Sequence, residues 1–258
     1  PLAGIVCDVF GAWADTPAQP ADNNAGSLLY AGTSGNCYMF RQVLTDNVGN
    51  ETVVDSVSVT KIDVDPPAPC SVTSITEDTG NDCQYVTGTT LYYNNNAACS
   101  GGNGSNSVTV GIGVNPAASI QGVRFPATVA AGNDDTVAPY EYQYVYGSAS
   151  THDGAATATI YKFNGLENYC AFTVERDIAE PSGGTVDYAN GYVTELSLAV
   201  TFTDGTDAES GIEVSTRTLQ RAAAALASGV CGAFGAWSDM IVNPAAGSFT
   251  DTSVADGN

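Results

Sequence analysis

Acidic side chains gather at three places in the sequence, and carboxylate oxygens are the ligands that calcium prefers. Two groups precede prolines and the third lies in a predicted turn; they are Asp63 and Asp65, Asp177 and Glu180, and Asp204, Asp207 and Glu209. No EF-hand spacing accompanies them. With 28 acidic residues against 7 basic ones, a merely solvated acidic surface remains the alternative. The sequence predicts calcium as a candidate ligand of these carboxylates, and no other cofactor.

Seven cysteines are the second source of chemistry. No Cys-x-x-Cys pair occurs and the chain has a single histidine, so a typical zinc site cannot be completed. Disulfides in an oxidising compartment are the better interpretation. Cys7 precedes a long loop and Cys37 begins the strand that follows it, so we expect a Cys7–Cys37 bridge. Closing a loop of this length contributes about 3 kcal/mol.

Four cysteines fall in the middle of the chain. Cys83 and Cys99 flank a tyrosine-rich segment and are natural partners. Cys70 and Cys170 then remain, on the first and last strands of this region, and such strands often lie side by side in a sandwich. Four cysteines allow three connectivities, so this pairing is one choice among three.

Catalytic chemistry finds little support in the sequence. His152 is the only histidine, and its surroundings predict a solvated loop. No Gly-x-Ser-x-Gly nucleophile elbow accompanies it. Paired carboxylates for glycoside hydrolysis are not excluded by counting, but most acidic residues lie in turns and linkers, where Asp is favoured anyway. We therefore expect no enzymatic activity.

Two surface features could carry modification or binding. Sequons for N-glycosylation begin at Asn50 and at Asn103, although this composition yields about two by chance. Tyrosines at 140, 142, 144 and 146 lie on one face of a predicted strand. That face could stack on sugars, but ordinary cross-strand packing is the favoured interpretation.

Composition narrows the function further. The net charge of −21 argues against nucleic acids and anionic membranes as partners. No apolar run of about 20 residues occurs, so we expect no membrane span. Gly, Ala, Thr, Ser, Asn and Val dominate, and long Lys/Glu/Leu helices are absent. These features favour an extracellular β protein.

Alternating apolar residues predict short strands throughout. Cys37–Leu44 and Thr52–Ile62 read as a hairpin around the turn 45–50. About seven strands separated by turn signals then fit a complete immunoglobulin-like sandwich over 67–179. Their predicted bounds are 70–75, 84–93 (a short hairpin), 107–114, 120–125, 140–146, 156–163 and 169–176. Asn94–Asn106 is predicted to be a polar loop.

The last third of the chain is predicted to be the early half of another sandwich. Strands are expected at 192–202 and 212–220, and the alanine-rich stretch 221–227 reads equally well as a helical turn or a loop. Asp63–Pro67 and Asp177–Pro181 are the predicted domain boundaries.

An internal repeat organises these domains. Leu2–Trp13 recurs as Leu226–Trp237, 224 positions further on (231 − 7), and Gly35-Asn36 recurs as Gly257-Asn258. A long repeat is typical of an array. We therefore expect 1–66 to be the C-terminal half and 180–258 the N-terminal half of one domain type, on either side of the complete domain 67–179. The partner of Cys231 is then expected just after Asn258.

The quoted residues resemble bacterial surface proteins built from tandem immunoglobulin-like domains. The features that carry the resemblance are Ser210-Gly-Ile212, Thr218-Leu-Gln-Arg221, Gly229–Trp237, and Cys37-Tyr38 followed by Thr45–Asn50. It covers 1–66 and 182–258 well and 67–179 more loosely. It implies an extracellular stalk, adhesin or fibre rather than an enzyme.

The sequence thus predicts an all-β, disulfide-stapled array of immunoglobulin-like sandwich domains, one complete and two partial. Its expected function is that of a structural repeat unit in a cell-surface fibre or stalk. Its expected partners are the continuing chain or copies of itself, joined end to end by completing half-domains. The alternative is an adhesin that recognises a glycan or protein through Tyr140–Tyr146 or the loop Asn94–Asn106.

Overall fold

A computed structural model describes residues 2–3, 6–16, 29–77, 83–95, 107–115, 120–128, 133–147, 149–242 and 247–256. The all-β prediction is confirmed, because the regular elements in these ranges are strands apart from one 3₁₀ turn at Val214–Thr216. The chain divides into a first unit, Pro1–Arg176, and a second unit, Asp177–Asn258. No helix among the described residues has the length and hydrophobicity needed to span a bilayer.

The N-terminal segment, residues 1–66, forms three small antiparallel ladders within the first unit. Its strands are β1 (Leu2–Ala3), β2 (Val6–Cys7), β3 (Asn36–Tyr38), β4 (Arg41–Thr45), β5 (Glu51–Asp55) and β6 (Thr60–Ile62). They pair as β1–β2, β3–β6 and β4–β5. The predicted hairpin is therefore present, but each of its strands is interrupted. The Ser56 hydroxyl causes part of this break, since it accepts from the Phe40 amide at 3.1 Å in place of a backbone carbonyl.

The middle sandwich follows the N-terminal segment and completes the first unit. Its strands are β7 (Ser71–Glu77), β8 (Gln84–Thr87), β9 (Thr90–Tyr93), β10 (Ser107–Gly113), β11 (Gly122–Phe125), β12 (Asn133–Asp135), β13 (Tyr140–Val145), β14 (Gly154–Tyr161) and β15 (Glu167–Arg176). One sheet has the order β13-β10-β7 and the other β12-β11-β14-β15-β9-β8. The β9–β15 pair is parallel and the other pairs are antiparallel.

The core of the middle sandwich lies between these two sheets. It buries alternate residues of both, including Val110 on β10 and Ile160 on β14. Tyr140, Tyr144 and Tyr146 belong to this core, and the Tyr144 hydroxyl donates to the Pro126 carbonyl at 2.9 Å. Burial raises the pKa of Tyr146 to about 12. These tyrosines therefore present no exposed face on which a sugar could stack, which corrects that part of the adhesin alternative.

The second unit contains a three-stranded sheet and two ladders. Its strands are β16 (Ser182–Tyr188), β17 (Leu198–Thr206), β18 (Thr218–Arg221), β19 (Leu226–Ala227), β20 (Val230–Cys231), β21 (Ser238–Val242) and β22 (Gly247–Asp251). The sheet has the order β16-β17-β22, and the ladders are β18–β21 and β19–β20.

Two predictions for this unit are corrected, and the open choice between a helical turn and a loop at 221–227 is decided. The strand expected from Tyr192 begins at Leu198, and the one expected from Ile212 is a 3₁₀ turn followed by β18. The alanine-rich stretch is a loop that leads into β19. Its helical propensity is overridden because the carbonyls of Ala223 and Ala225 accept from the amides of Gly235 and Gly232 at 3.0 and 2.9 Å.

The division of the first unit at residue 66 stays a prediction. The N-terminal segment and the middle sandwich belong to one compact unit.

Candidate assembly surfaces

Disulfides join segments that do not pair with each other in a ladder or sheet. Cys7 is bonded to Cys37 at 1.98 Å and Cys70 to Cys170 at 1.94 Å. Cys70 immediately precedes β7, so the second bridge joins the two sheets of the middle sandwich. The expectation that these strands are neighbours in one sheet is wrong, although the pair itself forms.

The remaining cysteines differ in state. Cys83 is disulfide-bonded, and its expected partner Cys99 lies outside the described residues. Cys231 is a free, exposed thiol.

A duplicated hairpin surrounds two of these cysteines. In β1–β2, Leu2 pairs with Cys7, and in β19–β20, Leu226 pairs with Cys231 in the same register. The sequence repeat is therefore also a structural one. Its two copies differ in their surroundings, since Cys7 is bridged and Cys231 is free.

The tryptophans of the two copies differ in the same way. The Arg41 guanidinium lies 4.0 Å from the ring centre of Trp13, a cation–π distance, and Asp55 fixes that guanidinium with two hydrogen bonds. The equivalent Trp237 is 69% exposed.

A second internal repeat links the N-terminal segment to the middle sandwich. In the β4–β5 turn, the Asp46 amide donates to the Asn50 carbonyl and the Gly49 amide to the Asp46 carbonyl. In the β14–β15 turn, Lys162 bonds with Leu166 and Gly165 with Lys162 in the same pattern. Gly49 and Gly165 have φ of +92° and +82°. The two hairpins are thus equivalent, 116 positions apart (165 − 49).

Burial differs sharply between these equivalent hairpins. Ile160 is fully buried and Cys170 is 8% exposed, because β14 and β15 lie inside a six-stranded sheet against the core. Leu44 and Val54, at the matching positions, are 45% and 54% exposed. The β4–β5 hairpin has apolar side chains suited to a sandwich but, among the described strands, no sheet beside it.

The strands of the second unit include counterparts of five strands of the middle sandwich, β7 and β10 to β13. Its sheet β16-β17-β22 repeats the order β7-β10-β13, and β18–β21 corresponds to β11–β12 in chain order and pairing. In the middle sandwich β11 also pairs with β14. Among the second unit's described strands, β18 pairs only with β21, and nothing corresponds to β14 and β15.

A cleft opens beside β18 in the second unit. Its volume is about 410 Å³, and Val186, Phe202 and Leu219 are among the residues that line it. The ion pair between Arg217 and Asp204, 2.9 Å long, spans it.

The candidate calcium ligands of the first linker are engaged with protein groups. The Lys162 ammonium lies 2.8 Å from the Asp63 carboxylate and donates to the Asp65 carbonyl at 3.1 Å. The Asn164 amide donates to the Asp63 carbonyl at 2.9 Å, and the Asp65 carboxylate accepts from the Ser34 hydroxyl at 2.6 Å. The linker is thereby clamped to the β14–β15 turn.

Asp177, in the second linker, accepts hydrogen bonds from the hydroxyl and amide of Ser210. Its burial raises its pKa, but these bonds outweigh burial and hold that pKa below its ordinary value. Asp207 accepts from the amides of Glu209 and Gly211 at 3.0 and 2.9 Å, and Glu180 is exposed.

No group of three or more His, Cys, Asp or Glu residues in the described ranges is arranged to hold a metal ion. Calcium at these carboxylates stays a prediction.

The other predicted sites have mixed outcomes. The prediction that His152 is solvated is corrected. The side chain is half-buried, and its Nε2 atom is shielded from solvent. The Tyr93 hydroxyl donates a hydrogen bond to the His152 carbonyl at 2.8 Å. Asn50 is exposed, and its side-chain amide donates to Asp46 at 2.7 Å. Asn103 lies outside the described residues.

The clamp of Lys162 and Asn164 on the linker was not predicted from the sequence. The sequence suggested Phe163–Asn168 as the counterpart of the turn 45–50, whereas the hydrogen bonds match Lys162–Leu166 to Asp46–Asn50. The partners in the clamp lie about 100 positions apart, and periodicity does not report such long-range contacts.

Comparison with known proteins yields little. No family model matches the chain, and no curated protein matches it. One similar solved structure is that of the fibronectin(III)-like modules of Clostridium thermocellum CbhA, at 14% identity and a TM-score of 0.27, covering 70% of this chain and 80% of that one. Similarity this low adds nothing to the fold described above.

Proposed function

We propose that this protein is a structural repeat unit of an extracellular fibre or stalk at a cell surface. In this proposal, β-sandwich domains follow one another, and half-domains at the two junctions complete each other. The partner is the continuing chain or another copy of it.

One observation carries the proposal. The β4–β5 hairpin exposes Leu44 and Val54, whereas the equivalent β14–β15 hairpin buries Ile160 and Cys170. Exposed apolar strands with open edges are costly in a free protein and mark an interaction surface. The second unit supports the same conclusion from its own side, since it has the strands of a sandwich without that hairpin.

The clamped linker suits a stiff array. Five hydrogen bonds or ion contacts from Lys162, Asn164 and Asn168 hold the linker 63–67 against the middle sandwich. A linker held in this way does not behave as a flexible tether.

An extracellular location is supported by the bridges Cys7–Cys37 and Cys70–Cys170, because such bonds persist in oxidising compartments.

Electron microscopy of the native assembly tests the proposal. We expect filaments in which units repeat at a constant axial spacing and which shorten when disulfides are reduced. Isolated particles without axial repetition, at every concentration and on the cell surface, would overturn it.

The adhesin alternative now rests on the loop Asn94–Asn106, of which the structure describes only 94 and 95. Selective binding on a glycan array would revive it.

A further inference from the structure

We propose that the second unit binds the β3–β6 region, Asn36–Ile62, of a second copy by strand exchange. The β4–β5 hairpin of that copy adds to the open edge of β18, and its Cys37 becomes bonded to Cys231. This inference rests on the proposed function and names the segment, the sheet edge and the covalent bond through which units join.

The middle sandwich supplies the template for the docking. There β14 pairs with β11 through Gly122–Tyr161, Val123–Ile160 and Arg124–Thr159. Since β18 corresponds to β11 and β4 to β14, the exchanged hairpin would lie along β18 with Leu44 and Val54 turned toward the cleft lined by Phe202 and Leu219.

The duplicated hairpin supplies the second, independent argument. In the first unit, the β1–β2 copy holds 36–62 through the Cys7–Cys37 bridge and the stacking of Arg41 on Trp13. The β19–β20 copy offers the same two groups, Cys231 and Trp237, and both are exposed. The second unit also offers the edge of β18 and the cleft lined in part by Val186, Phe202 and Leu219. Exchange therefore keeps the original contacts and adds new ones.

The covalent step needs no external oxidant. The Cys231 thiolate attacks the sulfur of Cys37 in the second copy, the Cys7–Cys37 bond breaks, and Cys7 leaves as a thiolate that takes up the proton lost by Cys231. One disulfide is lost and one is formed. Because the donor and acceptor surfaces are different, the contact is head to tail and propagates into a filament.

Three variants of the full chain test this inference in a glutathione redox buffer. L44D/V54D disables the donor hairpin, C231S removes the acceptor thiol, and V48D places one of the same charges on the exposed tip of the β4–β5 turn as a control. We expect the wild type and V48D to form disulfide-linked oligomers on light scattering and non-reducing gels. We expect L44D/V54D to stay monomeric, and C231S to assemble without a covalent bond.

Peptide mapping after alkylation identifies the bond. Assembled chains should contain a Cys37–Cys231 link and carry the alkyl label on Cys7, whereas monomers carry it on Cys231. A monomeric wild type, a Cys231–Cys231 link, or assembly by L44D/V54D at the wild-type level would each overturn the inference. Fibres seen by microscopy that lack the Cys37–Cys231 link would overturn it alone, and absence of fibres would overturn the proposed function as well.

Discussion

Single residues decide how the linker before the middle sandwich behaves. Lys162 lies where a calcium ion was expected, with its ammonium against the Asp63 carboxylate and the Asp65 carbonyl. Both side chains of the ion pair are largely shielded, at 13% and 18% exposure. A cation built into the chain can stiffen a linker without a metal.

Replacing Lys162 by Met should loosen this linker. The variant leaves the shielded Asp63 carboxylate without its cation, which costs about 1–3 kcal/mol. We expect the melting temperature of the first unit to fall by about 5 °C and proteolysis within 63–67 to accelerate. Lys162→Arg keeps the positive charge beside Asp63 and serves as the control. An unchanged melting temperature in Lys162→Met would contradict the clamp.

Removal of calcium by a chelator should affect the two linkers differently. Because Lys162 occupies the first linker, we expect the melting temperature of the first unit to be the same with calcium and with EDTA. Any calcium effect should be confined to the second unit, at Asp177, Asp207 and Glu209. Calorimetry in both conditions measures this, and stabilisation of the first unit by calcium would contradict the role given to Lys162.

At the scale of elements, strands with a complete sandwich around them were predicted best. Those of the middle sandwich, apart from the unpredicted β12, were placed within a few residues because one side of each faces the core and alternation is strong. The strand β16 was not predicted because it contains Gly183 and Gly184, and glycine is uncommon in strands. Their φ angles are +79° and +83°. A Cβ at Gly184 would lie 3.0 Å from the Gly205 nitrogen, so close packing against β17 explains the glycine.

Candidate surfaces were harder to predict than strands. The sequence alone revealed the repeat of Leu2–Trp13. It also predicted that Cys231 lacks a partner in its own half-domain. The register in which the β4–β5 and β14–β15 turns are equivalent was not predicted, because it lies in backbone hydrogen bonds that tolerate different side chains. The acidic groups predicted calcium, but acidic side chains in turns also cap nearby amides, as Asp207 does here.

The two layers of the second unit are joined by an ion pair whose carboxylate is buried. Asp251 on β22 is 3% exposed and accepts from Arg221 on β18 at 2.6 Å and from Ser253. Burial raises the pKa of Asp251, but the Ser253 hydrogen bonds and Arg221 outweigh it and hold that pKa below 3.8.

A lowered pKa predicts acid lability of the second unit. The stabilisation by Asp251 is complete above the ordinary value of 3.8 and is lost as the pH falls below it. We expect the melting temperature of the second unit to drop steeply between about pH 4 and pH 2. Asp251→Asn should lower it at neutral pH and flatten this drop, whereas Asp256→Asn, at an exposed position, should do neither. An equally steep drop in Asp251→Asn would contradict the assignment.

At the scale of the whole molecule, charge opposes assembly. Each chain carries a net charge of −21, so copies repel one another at low ionic strength. Apolar strands with open edges favour association at short range, where salt has little influence on them.

Salt should therefore promote association. Raising sodium chloride from 10 to 150 mM shortens the screening length from about 30 to about 8 Å. We expect the concentration at which half of the chains are assembled to fall at least tenfold, as measured by analytical ultracentrifugation. Association that weakens with salt would indicate that ion pairs, rather than apolar strands, hold the copies together.

The central claim is that a hairpin of the β4–β5 type completes the sandwich of the second unit. It is tested most directly by joining a copy of residues 37–66 to Asn258 and counting free thiols in the native protein. The account predicts that the added cysteine pairs with Cys231, so the count falls from one to none and the second unit melts at least about 10 °C higher. Two reactive thiols per chain and an unchanged melting temperature would contradict it.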